Sequence, residues 1–154
     1  MLIWGDKTIA MFDVWSIEHL VNGIAMAGAA AFIIKQMLKK IDMSPQTQKI
    51  LSFFMVLTGA LLWECAEHYI EAGILPGVIG ARVTFWFQGV EHWSNRIIGD
   101  NLTVITGWFI YYRFIYNKKP NIALAAKIFT TIWMLVHIFV FPDSMYLQRL
   151  LFPN

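Results

Sequence analysis

Four apolar stretches, each near the length of a bilayer-crossing helix, restrict what this chain can fold into. They cover residues 14–38, 50–70, 97–116 and 122–141. A helix rises ~1.5 Å per residue, so ~20 residues cross a ~30 Å hydrocarbon core. Lipid has no water to satisfy free backbone groups, so such stretches must be helical. The connections are short: IDMSPQTQ after the first stretch and NKKPN after the third. Composition agrees, with 58% hydrophobic and 14% charged residues against ~25% charged in soluble domains. The expected fold is all-α: one integral membrane domain over residues 1–154, built as a four-helix bundle. Residues 82–101 are aromatic and amphipathic, and 70–81 are rich in glycine with one proline. Together they predict a turn or re-entrant piece and an amphipathic segment before the third span. No cleavable leader is expected, because Asp6 and Asp13 interrupt the N-terminal region. A lone Cys65 excludes an intramolecular disulfide framework.

Basic residues set the orientation. Lys35, Lys39, Lys40 and Lys49 flank the first short loop, and Arg113, Lys118, Lys119 and Lys127 flank the last. Lys7, Arg82, Arg96 and Arg149 lie on the other side. Positive charge is retained in the cytoplasm, so both termini are expected outside the cell (inner) membrane. The acids are distributed oppositely. Asp42 falls on the inner side, and Asp6, Asp13, Glu18, Glu64, Glu67, Glu71, Glu91, Asp100 and Asp143 fall on the outer half. The orientation rule does not account for that bias.

Counting ~20 residues outward from each inner boundary gives depth. Glu18 and His19 lie about one turn inside the outer boundary. Glu64, Glu67 and His68 lie in the outer leaflet, Asp100 just inside it, and Glu91 and His92 just above. Glu64, Glu67 and His68 share a helical face, as do His19, Asn22 and Gly23. If residues 91–107 are helical, His92, Arg96, Asp100, Thr103 and Gly107 form a stripe beside Glu91 and Asn95. Glu71 and Asp143 are expected in solvent, and His137 as a packing histidine.

Unpaired carboxylates in a membrane cost ~2.5 kcal/mol or more each at depth. Glu18, Glu64, Glu67, Glu91 and Asp100 have Arg82 and Arg96 as nearby cations. Metal, protons, water or a partner must make up the difference. Imidazole beside carboxylate suits zinc, iron, manganese or copper, and helical bundles hold metal centres with such sets. The expected ligands are Glu64, Glu67, His68, His92, His19 and Glu91. Glu18, Asn95, Arg96, Asp100 and Arg82 are expected to support them or bind an anion. The carboxylates disfavour haem. The leading functional expectation is a metal-binding membrane protein, one version of which is an enzyme acting on a lipid or other apolar substrate. The alternatives are an accessory subunit of a larger membrane complex or homo-oligomer, with Phe85–Phe87 and Trp108–Tyr112 as contact surfaces, or a proton- or solute-conducting bundle. No motif for nucleic acid is present, and the lysine pairs read as topology signals.

The order His19…Gly23, WECAEH (63–68), Arg82, then GVEHWSNRIIGDNLTVITGW (89–108) resembles the small four-span bacterial membrane proteins of the VanZ-like type and their alphaproteobacterial relatives. Trp63, Glu64, Glu67, Arg82, Asp100, Leu102 and Gly107 fill the places that resemblance requires. His68 and His92 depart from it. The resemblance implies a helical membrane protein with a polar core.

Overall fold

The computed structural model describes residues 2–37, 41, 43–116 and 118–153. Lys39, Lys40 and Asp42, used above for orientation, lie outside the described residues. The chain is mostly helical. Two short strands, β1 (Leu2–Trp4) and β2 (Ala10–Phe12), pair in parallel and frame an N-terminal loop that the apolar pattern does not announce.

Helix α1 (Val14–Met37) starts where Asp13 caps it. Asp13 Oδ1 accepts from Trp15 N at 2.7 Å and Ser16 N at 3.3 Å, while Ser16 Oγ accepts from Asp13 N at 3.1 Å. This reciprocal pairing satisfies amides that a helix start leaves free. Helix α2 (Pro45–Glu71) begins a turn before the expected apolar boundary. Ser44 Oγ caps Thr47 N at 3.1 Å and Pro45 supplies a preset first turn. At its other end α2 continues through Glu71, so the predicted turn over 70–81 shrinks to residues 72–76. Helix α3 (Gly77–Phe87) follows, short and apolar.

The next helix, α4, is continuous from 95 to 115. It is wide-turned (π) over Asn95–Asp100, α-helical over Asn101–Ile110 and wide-turned again over Tyr111–Ile115. Asn101 Nδ2 donates to Arg96 O at 2.9 Å within the first wide turn. Such turns occur often at functional sites. Helices α5 (Pro120–Val140) and α6 (Tyr146–Leu151) complete the chain. Among the described residues, α1, α2 and α5 are long and apolar enough to cross a membrane.

Helix α1 is the hub, packing most extensively on α4, then on α5 and α2. Its core contacts are small: Ala27, Ala30, Val56, Ala60 and Val104 are buried together with Tyr111 and Ile115. Many large apolar side chains face outward, including Phe32, Phe54, Leu62, Phe109, Phe129 and Phe139. A water-soluble protein would bury these. The polar residues are inside instead, at the end where α1 starts and α2 finishes.

Candidate functional site

Elements that meet at this end each contribute to a buried polar network. Asp13 comes from the loop before α1, and Ser16 and His19 from the first turns of α1. Glu64 and Glu71 come from α2, Glu91 from the α3–α4 loop, and Asn95, Arg96 and Asp100 from the first turns of α4. Lys7, from the strand-flanked loop, enters the same interior and is 1% exposed.

Two groups of ligand atoms lie within 4.8 Å of one another: His19, Glu64 and Asp100, and separately Glu67, Glu71 and Glu91. They differ in what already compensates them. In the second, Glu71 pairs with both Lys7 and Arg96, and its Oε2 also accepts from Glu91 N at 2.9 Å. Arg96 Nη2 stands 3.4 Å from Glu91 Oε2. Two protein cations therefore sit among these carboxylates, and the group is an ion-pair cluster.

Among the described residues, the first group has no such cation bound to its carboxylates. Arg96 Nη1 donates to the backbone oxygen of Glu64 at 2.9 Å, not to its side chain. Ser16 Oγ reaches Asp100 Oδ1 at 3.5 Å, and His19 Nε2 is 3.8 Å from the same oxygen, beyond hydrogen-bond range. Among the described residues, Glu64 Oε2, Asp100 Oδ2 and Asn95 Oδ1 are buried with no hydrogen-bond partner. Buried polar atoms are nearly always satisfied. These acceptors mark where the buried network is left unsatisfied among the described residues.

The structure thus brings together His19, Glu64 and Asp100, and places Glu67, Glu91, Asn95 and Arg96 beside them. His68 does not join; it is exposed. Helical geometry gives the reason. At 3.6 residues per turn, Glu71 and Glu67 lie ~20° and ~60° to one side of Glu64, whereas His68 lies ~40° to the other side, away from the interior. Glu71, expected in solvent, is 3% exposed and central to the ion pairs. His92 also stays apart, because the helical turns begin after it. Its carbonyl accepts from Asn95 N and Arg96 N, and its Nδ1 bonds Ser94 Oγ at 2.8 Å. Arg82 is exposed on α3, away from the acids. Glu18 is half-buried and lines a cleft described below. His137 is buried, stacks on Trp15 at 4.1 Å between centroids and lies 3.2 Å from Ser144 O. Sequence reasoning missed Lys7, Asp13 and Ser16 as members. Lys7 gave no periodic signal, while Asp13 followed by Ser16 just before an apolar run is a readable cap.

Burial raises the carboxyls at the edge of the network. It holds Asp13 up to about 6, against a lowering hydrogen bond from Asn95 Nδ2 at 3.0 Å. It holds Glu91 up to about 9, helped by the charges of Glu67 and Glu71. The folded chain thus retains a proton on Glu91 that the unfolded chain releases near the ordinary value of 4.5. The stability this contributes is fully present below that value and is lost as pH rises toward 9. Unfolding of the detergent-solubilised protein between about pH 5 and about pH 9 should show stability falling with pH, and Glu91→Gln should flatten the decline. A stability that rises over this range would contradict the assignment.

Compared with known proteins, the chain matches no family model, no curated protein and no solved structure.

Proposed function

We propose that the chain is a four-span membrane protein that holds a divalent cation among His19, Glu64 and Asp100, in its non-cytoplasmic half, and acts on a lipid or other apolar substrate. In this reading α4 is the remaining span, since 21 residues reach about 30 Å. Both termini lie outside, and the VanZ-like likeness is carried by Glu64, Asp100 and Gly107, which all face the interior. The observation that carries the proposal is that Glu64 and Asp100, each with a buried carboxylate oxygen lacking a hydrogen-bond partner among the described residues, bring ligand atoms within 4.8 Å of each other and of the His19 imidazole. One nitrogen and two carboxylates suit zinc, manganese or iron, with copper less well matched by this oxygen-rich set.

Element analysis of the purified protein tests it. Stoichiometric zinc, manganese, iron or copper is expected. His19→Ala and Asp100→Asn should each lower its retention at least ~10-fold, by analogy with the loss that even supporting residues cause. His68→Ala, on the exposed face, should retain metal fully. Metal-free wild-type protein would end the proposal.

One observation favours a second reading. The pairing of Glu71 with Lys7 and Arg96 ties the N-terminal loop, α2 and α4 together, which a non-enzymatic subunit of a larger complex would use to fix its shape. Copurification of metal-free chain with other subunits would support it.

A further inference from the structure

A cleft of about 320 Å³ lies over the first turns of α1, walled by α2, α3 and α5. Its size falls at the lower end of ligand sites, about 300–1,000 Å³. Trp15, Trp63, Trp86, Met134 and Ile138 make it largely apolar, Glu18, His19 and Glu67 give it a polar side, and Lys127 with Thr130 and Thr131 lines its α5 wall.

Charge decides what it accepts. Glu67, Glu71 and Glu91 lie together against two cations, Lys7 and Arg96. Glu71 takes both, and Glu91 shares Arg96. Glu67 pairs with neither cation, and it is the member of the group that faces the cleft. Glu18 faces the same space, and neither Glu18 nor Glu67 has an ion pair among the described residues. His19, only 9% exposed and without a hydrogen bond among the described residues, lines it too. An adjoining groove shares Val83, Trp86, Phe87 and Ile138 with the cleft and carries the exposed Arg82. The two together offer two carboxylates against the single ammonium of Lys127 in the cleft, the Arg82 guanidinium in the groove, and apolar walls between.

We infer that this cleft binds a bilayer phospholipid with a primary ammonium headgroup. Its ammonium sits by Glu18 and Glu67, its phosphate lies on the Arg82 side, and an acyl chain packs along Met134 and Ile138. A quaternary headgroup has no N–H to donate to the carboxylates, and an anionic one meets like charge. The inference rests on the membrane part of the reading above and needs no bound cation. A metal-free protein that passes the lipid test therefore overturns the metal proposal alone.

The test places the full chain in phosphatidylcholine nanodiscs containing lipids with brominated chains and ethanolamine, choline or glycerol headgroups. Quenching of tryptophan fluorescence reads lipid at the cleft, where Trp15, Trp63 and Trp86 lie. Charge-assisted hydrogen bonds predict about 10-fold preference for the ethanolamine lipid. Glu18→Gln with Glu67→Gln should abolish the preference. Glu18→Gln alone, at a half-buried position, should reduce it, which covers the case where the double variant does not fold. Equal quenching by the three lipids, preference for the glycerol headgroup, or a preference unchanged in Glu18→Gln would overturn the inference.

Discussion

Replacing Glu71 with Gln is expected to cost more folded protein than any other single change to a charged residue in this chain. Glu71 is the shared partner of Lys7 and Arg96. Both cations are buried, at 1% and 7% exposure. Glutamine keeps the size of the side chain and removes the charge. Arg96 would retain Glu91 at 3.4 Å, but Lys7 would lose the one ion pair described for it. Breaking a buried pair by deleting one partner costs about 3–5 kcal/mol, because the remaining charge stays desolvated. Unfolding titrations in mixed micelles should show that loss, along with a fall in yield. The double variant Lys7→Met with Glu71→Gln should recover much of it, since the stranded ammonium is gone. A single variant within about 1 kcal/mol of the parent would mean that Lys7 and Glu71 are solvated.

The same residue shows how far the sequence could be read. Helices were legible because lipid-compatible apolar runs leave no other backbone solution. Helix ends were legible only where a cap is written in residue types, as at Ser44-Pro45. The acids were placed at one end of the bundle by counting depth alone. Which of them face inward depends on rotation, and there short-range spacing misled. Glu64, Glu67 and His68 share a face over one turn, yet the buried line follows the seven-residue step to Glu71. The expected contribution of His92 assumed a helix through residue 91, whereas His92 instead ends the preceding loop. Lys7 was out of reach, since nothing local in a polar N-terminal loop tells that it folds back onto α2. Spacing puts Gly23 and Gly107 on polar helical faces, but only the structure shows that their lack of a Cβ sets how closely α1 and α4 approach.

Gly107→Ala is therefore expected to disturb both stability and the proposed cation site, although it adds a single methyl group. A Cβ at Gly107 would lie 2.1 Å from Leu20 O and 2.9 Å from Ile24 N. A Cβ at Gly23 would lie 2.1 Å from Val104 O, on the opposite side of the same crossing. These are backbone atoms, which cannot rotate away, so α1 and α4 must separate. In lipid, close packing of backbones is itself a main source of helix association. Overpacking costs about 1–3 kcal/mol, and the ~1 kcal/mol of helix propensity that alanine adds does not offset the upper part of that range. Separation also acts at a distance. His19 rides on α1 and Asp100 on α4, about 10 Å along the axis from Gly107, and they already stand 3.8 Å apart. Gly107→Ala should thus weaken metal retention as well as stability. Gly59→Ala is the control: its Cβ would meet only Met26 Cε, at 2.7 Å, the free end of a flexible side chain. It should be neutral, or stabilising by up to ~1 kcal/mol. Equal effects of the two substitutions on unfolding would show that α1 and α4 do not cross at Gly23 and Gly107. A destabilised Gly107→Ala protein with undiminished metal content would show instead that the crossing does not position the proposed cation ligands.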